Sequence, residues 1–198
     1  MLQQQNNMAV QIVPLVARPL FGGAITIGLP SQYLDASNFR EIPDNQEVWT
    51  DNLNVASVSS QSSSCPSVIV EILSRSDDVS NSDIANFMFQ DLADANHVSP
   101  HDRQLISTFS ESSPNFPNAD YVGGGIGKMR VEKNRNSDLV FVFLWVIRLK
   151  HIETDLLISF NDPCHVYATP EEAMQSPNFR LFKSIAQSLK VEDWNLFA

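Results

Sequence analysis

The sequence predicts an α+β protein, a single αβα sandwich in which a mostly antiparallel, twisted sheet carries helices on both faces. Three observations lead there. Leu139 to Ile147 is apolar at nine consecutive positions, and a strand of that composition needs cover on both faces. Two segments, from Ser80 or Ser82 to Asn96 and from Pro177 or Asn178 to Lys190, space their apolar residues as helices do. The strands read in the middle of the chain have short connections, which favours antiparallel neighbours. With 198 residues and 43% hydrophobic content the chain fills one core, so the expected division is a leader over residues 1–19 and one domain over residues 20–198.

Met1 to Pro19 is polar at first and then interrupted by Pro14 and Pro19, the composition of a loosely held leader. Its apolar patch from Met8 to Ala17 has no basic residue before Arg18, which speaks against a signal peptide. Leu20 to Leu29 reads as a strand in which Gly22-Gly23 permits a bulge or bend. Asp35 or Ser37 caps one helical turn through Phe39. Pro43 presets φ for a turn over Ile42 to Asn45, and Gln46 to Asp51 follows as a short strand. Period two puts Glu47, Trp49 and Asp51 on one face of it and Gln46, Val48 and Thr50 on the other.

Asn54 to Ser67 is serine-rich and poor in charge, a solvated loop, and Val68 to Leu73 is the next strand. The first helix places Ile84, Phe87, Met88, Leu92 and Ala95 on its inner stripe and turns Asp83, Asp91 and Asp94 to water. Pro100, Pro114 and Pro117 divide Asn96 to Asp120 into a long loop or short pieces. Tyr121 to Lys133 reads as a strand beginning at a glycine-rich edge. Leu139 to Lys150 and Glu153 to Asn161 read as two long strands joined by a tight turn near His151. The last helix carries Phe182, Ile185, Ala186 and Leu189 inward, with Arg180, Lys183 and Lys190 outside.

The net charge of −10 is unevenly placed, because residues 1–102 hold 12 Asp/Glu against 3 Lys/Arg. Such a balance repels nucleic-acid phosphates and anionic lipid and suits a basic protein surface. The longest apolar run is far below the ~20 residues that span a bilayer. Cys65 and Cys164 lie 99 positions apart and form no disulfide framework, which points to a reducing compartment, cytosol or nucleus. Within the acidic half the charge concentrates again. Glu41, Asp44, Glu47 and Asp51 fall within eleven residues, with Arg40 the one cationic neighbour.

Asp35-Ala36-Ser37, Arg40 and Pro43-Asp44-Asn45-Gln46-Glu47-Val48, preceded by Leu20-Phe21-Gly22-Gly23-Ala24-Ile25, resemble the signature of the Ran guanine-nucleotide release factor family, the MOG-type Ran-binding proteins. Ile147-Arg148-Leu149, Thr154 to Asn161 and Leu196-Phe197-Ala198 match the same family in the same order. The resemblance implies the αβα fold of the photosystem II extrinsic protein superfamily. It also implies a monomeric, non-enzymatic regulator, without cofactor or metal, that binds the small GTPase Ran in nucleotide-bound and nucleotide-depleted forms. That regulator promotes guanine-nucleotide release in nucleocytoplasmic transport and works in nucleus and cytoplasm. Carried over by residue, the partner surface falls on Asp44 and Glu47, with Arg40, Asp35 and Gln46 in support. Arg40 has a structural alternative, orienting the turn by pairing with Glu41 or Asp44. The long leader, the serine-rich insertion and Gly123 to Gly125 depart from the family.

The spacing of other motifs argues against other chemistry. A phosphate loop at Gly123 to Lys128 would need glycine at Val122 and a hydroxyl residue at Met129, and a dinucleotide fingerprint would need glycine at Lys128. His97 and His101 have ligand spacing, but Pro100 breaks the helix that would align them. Cys164 and His165 are adjacent, so an extended chain points them apart. A small-ligand-binding or catalytic αβα domain whose pocket the sequence does not reveal is the alternative reading.

Overall fold

The computed structural model describes residues 13–51, 65–133 and 136–197; what was expected of residues 1–12 and of the serine-rich stretch 52–64 lies outside them. Strand β8 (Asn136–Leu149) lies beside β9 (Thr154–Asp162), and its side chains alternate between two apolar clusters. Phe141, Phe143, Trp145, Ile147 and Leu149 enter one, and Val142, Leu144 and Val146 enter the other. Residues 141–149 are all buried. Around this pair grows a seven-stranded sheet in the order β3 (Tyr33–Asp35), β4 (Gln46–Asp51), β5 (Ser67–Ser74), β9, β8, β7 (Tyr121–Lys133), β6 (Arg103–Ser110). Every ladder in it is antiparallel.

One face is covered by α1 (Ile84–Ala95) through Ile84, Met88, Phe89 and Ala93. The other face meets α3 (Pro177–Ser188) through Phe179, Phe182 and Ile185, with the short α2 (Pro170–Gln175) before it. The predicted αβα layering, antiparallel with helices on both faces, is therefore the observed one. A second, three-stranded sheet shares the α3 side, ordered β1 (Leu15–Leu20), β2 (Ile25–Pro30), β10 (Lys190–Val191). It contributes Leu20, Ile25, Ile27 and Leu29 to the larger cluster. No helix among the described residues is long and apolar enough to cross a membrane.

Several boundaries differ from the sequence reading. Residues 15–19, assigned to the leader, pair with β2 at every position, because β2 offers them an open edge. The strand expected over Leu20 to Leu29 is instead two strands joined by a turn at Phe21–Gly23, where φ is +48°, +67° and +95°. Arg103 to Ser110, expected in loop, is the edge strand β6. In α1 the inward aromatic is Phe89, while Phe87 is 40% exposed and Ala95 also faces out. The glycines of β7 explain that choice. A Cβ on Gly127 would lie 2.2 Å from the Phe89 ring, so bare backbone is the seat for Phe89.

The start of α1 also differs, since Asp83 rather than a serine precedes it and makes no side-chain cap. Ser80 instead closes the preceding turn, accepting from the Asp83 N–H at 3.2 Å. At the other end His97 stands at φ +57°, the His97 N–H donates to the Asp94 carbonyl and the Val98 N–H to the Ala93 carbonyl, both at 2.9 Å. This is a Schellman ending, a position that glycine fills with least strain.

A buried ion pair ties the loop before α1 to the sheet. Arg148, 1% exposed, donates from Nε to Asp155 at 3.2 Å, from Nη1 to the Val79 carbonyl and Asn81, and from Nη2 to the Ser76 carbonyl. Asp155 takes the Ser76 N–H at 3.2 Å as its second contact. The pair is thus satisfied from all sides, the condition under which burial of opposite charges is tolerated.

Two outcomes follow from this packing. Leu144→Asp places an unpaired charge at a fully buried position and should exceed the ~5–15 kcal/mol a domain has to lose, so circular dichroism should show no cooperative thermal transition. His97→Gly should raise stability by about 0.5–1 kcal/mol, read as a higher midpoint in denaturant.

Candidate functional site

The stretch from Asp35 to Asp51 builds an exposed corner at the β3–β4 end of the large sheet. Asp35 accepts the Ser37 N–H at 2.8 Å and caps the tight turn Ala36–Asn38, as its sequence predicts. The N–H groups of Phe39 and Arg40 both return to the Ala36 carbonyl, at 3.0 and 3.1 Å. The chain leaves that turn with Arg40 exposed and Phe39 72% exposed. Among the described residues Arg40 makes no ion pair with Glu41 or Asp44.

The acidic turn closes one residue later than predicted. The Gln46 N–H donates to the Pro43 carbonyl at 2.9 Å, so Pro43 opens the turn and Asp44 and Asn45 are its exposed middle. The strand dictates this shift, because Gln46 is the first residue of the β4–β5 ladder, opposite Glu71. Asn45 secures the turn, its carbonyl accepting the Ile72 N–H at 2.9 Å.

From there β4 alternates as period two requires, and this separates the predicted residues. Gln46, on the α1 side, donates Nε2 to Glu71 at 2.7 Å. Val48 and Thr50 continue on that side, where with Ile69, Leu92 and Val140 they line a groove of about 660 Å³ that Arg40 borders. Glu47 and Trp49 turn the other way. The Phe21 N–H donates to Glu47 Oε1 at 2.6 Å, and the Arg18 guanidinium stands 5.5 Å over the Trp49 ring. Glu47, expected on the partner surface, is therefore half-buried. Burial raises its carboxyl above the ordinary 4.5, the Phe21 N–H pulls it back, and the Asp35 charge adds to the rise.

The five predicted residues thus fall into three groups: Asp44 at the tip, Asp35 with Glu47 toward the small sheet, and Arg40 with Gln46 toward the groove. One feature of this corner escaped sequence reasoning. The contact from Phe21 to Glu47 spans 26 residues, and Gly22-Gly23 gave a bend but no partner.

The other weighed motifs serve structure. Gly123 to Gly127 lie buried within β7, which is paired on both sides. His165 Nδ1 lies 2.9 Å from Asp162, and the Tyr167 hydroxyl and Asn178 Nδ2 donate to the same buried carboxylate. No group of three or more His, Cys, Asp or Glu among the described residues is placed to hold a metal ion.

Glu71, 8% exposed, has its carboxyl raised chiefly by burial. The folded chain therefore keeps a proton that the unfolded chain has already released. Stability falls as pH rises from the ordinary 4.5 through the raised value, and the penalty is complete above it. Glu71→Gln keeps an acceptor for Gln46 and should melt higher than wild type at neutral pH, with the difference vanishing below about pH 4; thermal melts across that range check it.

An antiparallel αβα protein with an exposed, acid-tipped, aromatic-flanked corner is the class these observations define. The family described as Ran-interacting Mog1 protein matches residues 18–163, and the chain belongs to it. The Ran guanine nucleotide release factor of Danio rerio is 28% identical, over 92% of this chain and 100% of its own. Nuclear import protein MOG1 of Saccharomyces cerevisiae is 27% identical, over 90% of this chain and 83% of its own. The crystal structure of the S. cerevisiae Ran-binding protein Mog1p superposes with a TM-score of 0.67 at 24% identity, covering 94% of this chain and 100% of that one. Cyanobacterial PsbP from Synechocystis shares the fold at a TM-score of 0.51 and 14% identity, covering 92% of this chain and 95% of that one.

Proposed function

We propose that this chain binds the small GTPase Ran and promotes release of its guanine nucleotide, as a regulator in nucleocytoplasmic transport. The observation that carries the reading is the family match over residues 18–163, which contains the whole acidic corner. It works as a monomer in nucleus and cytoplasm, without cofactor or covalent step, and meets Ran in nucleotide-bound and nucleotide-depleted forms.

The corner suits that work physically. A GTPase holds its nucleotide through a phosphate-loop lysine and Mg²⁺ with its ligands. A carboxylate brought beside them competes for the lysine or disturbs the metal, and the complex needs only to favour the empty state over the filled one. A differential of ~4 kcal/mol shifts that balance about a thousandfold. Asp44, exposed at the tip of its turn, is the acid best placed to reach a basic surface, and Phe39 supplies an exposed aromatic of the kind that anchors interfaces.

Release of a fluorescent guanine nucleotide from Ran, with and without this protein, tests the reading. Acceleration at saturating protein is the expected result, and none with binding intact would reduce the protein to a binding module. Asp44→Lys should weaken Ran association more than tenfold, increasingly so at low salt, while changing stability by no more than ~0.5 kcal/mol; titration calorimetry at two salt concentrations measures it. The groove bordered by Arg40 favours a second reading, a small-ligand domain. A protein that carried a small molecule through purification and ignored Ran would decide for that.

A further inference from the structure

Glu47 is the predicted contact residue whose carboxylate is engaged by a distant part of the chain, where Asp35 only caps its own turn. Oε1 receives the Phe21 N–H at 2.6 Å, which joins the start of β4 to the β1–β2 turn. That turn is unusual in three successive residues. Phe21, a side-chain-bearing residue, stands at φ +48°, followed by Gly22 at +67° and Gly23 at +95°, and a non-glycine residue in the left-handed region costs about 1–2 kcal/mol. Within the turn the Ala24 N–H reaches the Phe21 carbonyl at 3.2 Å; from outside the hairpin the Phe21 end is held by the packing of its ring against the larger cluster and, at its backbone, by the Glu47 contact.

The glycines are bare on their outer side. Gly22 is exposed, and a Cβ built on either glycine meets nothing within 4 Å. Among the described residues no atom stands where those Cβ atoms would lie; the backbone angles ask for glycine or, at Gly22, for asparagine, which tolerates that region. The result is a stretch of naked backbone that stands beside Glu47, which lies three residues beyond the exposed Asp44 in the same strand entry. Naked backbone is what allows another protein's surface to come close.

We propose that Glu47 is a positioning residue that holds the Phe21–Gly23 turn, and that this turn, rather than the Glu47 charge, meets the partner beside Asp44. The partner surface is then made of two turns, the acid-tipped one at Pro43 to Gln46 and the glycine one held against β4. This rests on the reading of Ran as the partner.

Three variants decide it, with Ran affinity measured by titration and folding by thermal melt. Glu47→Gln keeps an oxygen acceptor for the Phe21 N–H without the charge and should bind Ran within about threefold of wild type. Glu47→Ala loses the acceptor and should bind more than tenfold weaker. Gly22→Asn keeps the left-handed backbone and adds a side chain whose Cβ meets nothing within 4 Å among the described residues, so it should melt like wild type and bind more than tenfold weaker. A Glu47→Gln variant as weak as Glu47→Ala would show that the charge itself is the contact, and a Gly22→Asn variant binding normally would show that the turn stands clear of the partner; either overturns the proposal. Should Glu47→Ala fail to fold, the other two still decide. Wild-type protein that ignored Ran would instead fail the functional reading on which the proposal depends, and the two failures are told apart by that measurement.

Discussion

The structure depends on one constraint: β8 is apolar on both faces, and neither can be left against water. Leu144, Ile147, Leu156 and Ile158 are fully buried, and each buried side chain of this size is worth roughly 1.5–3 kcal/mol. The layers answer to that demand. Odd-numbered residues of β8 collect α3 and the three-stranded sheet, even-numbered ones collect α1. Where a charge does enter the double-covered zone, at Arg148 and Asp155, it arrives with its partners already supplied by the loop leading into α1.

The same constraint explains where the acidic corner lies. Cover is complete over β8 and β9 and becomes incomplete toward β4, whose two faces meet different surroundings. Its α1 side opens on the groove beyond Leu92 and Asn96, and its other side meets the β1–β2 turn. Half-burial of Glu47 and exposure of Asp44 and Phe39 are thus properties of a strand near the end of its sheet. Acidic groups can be concentrated there at little cost to folding, because the turn that bears them lies outside the packed layers.

The layering was legible because it is written in local pattern. Leu139 to Ile147 demands cover, and the period-two split of β4 into Glu47 with Trp49 and Gln46 with Val48 was readable from the strand alone. What escaped reading depends on distant neighbours. Phe87 and Phe89 both lie near the helix stripe, and only the glycine seat at Gly127 selects Phe89. Residues 15–19 look like leader until β2 offers an edge, and Arg103 to Ser110 look like loop among prolines until β7 does. At the corner, residue types marked the turn and the strand entry, but the engagement of Glu47 by Phe21 leaves no local trace in composition or spacing.

The three-stranded sheet has a kinetic side. β2 lies between β1, its immediate predecessor, and β10, so Thr26 pairs with Lys190, and the Gly28 N–H reaches the Ser188 hydroxyl across 160 residues. Contacts of that separation form late, after the loop between them has closed. At the ribosome's pace of ~5–20 residues per second, the hairpin waits on the order of ten seconds or more for its outer strand. A nascent chain therefore carries the glycine turn long before it can present it in place, and the corner matures only once residues 188–191 have emerged.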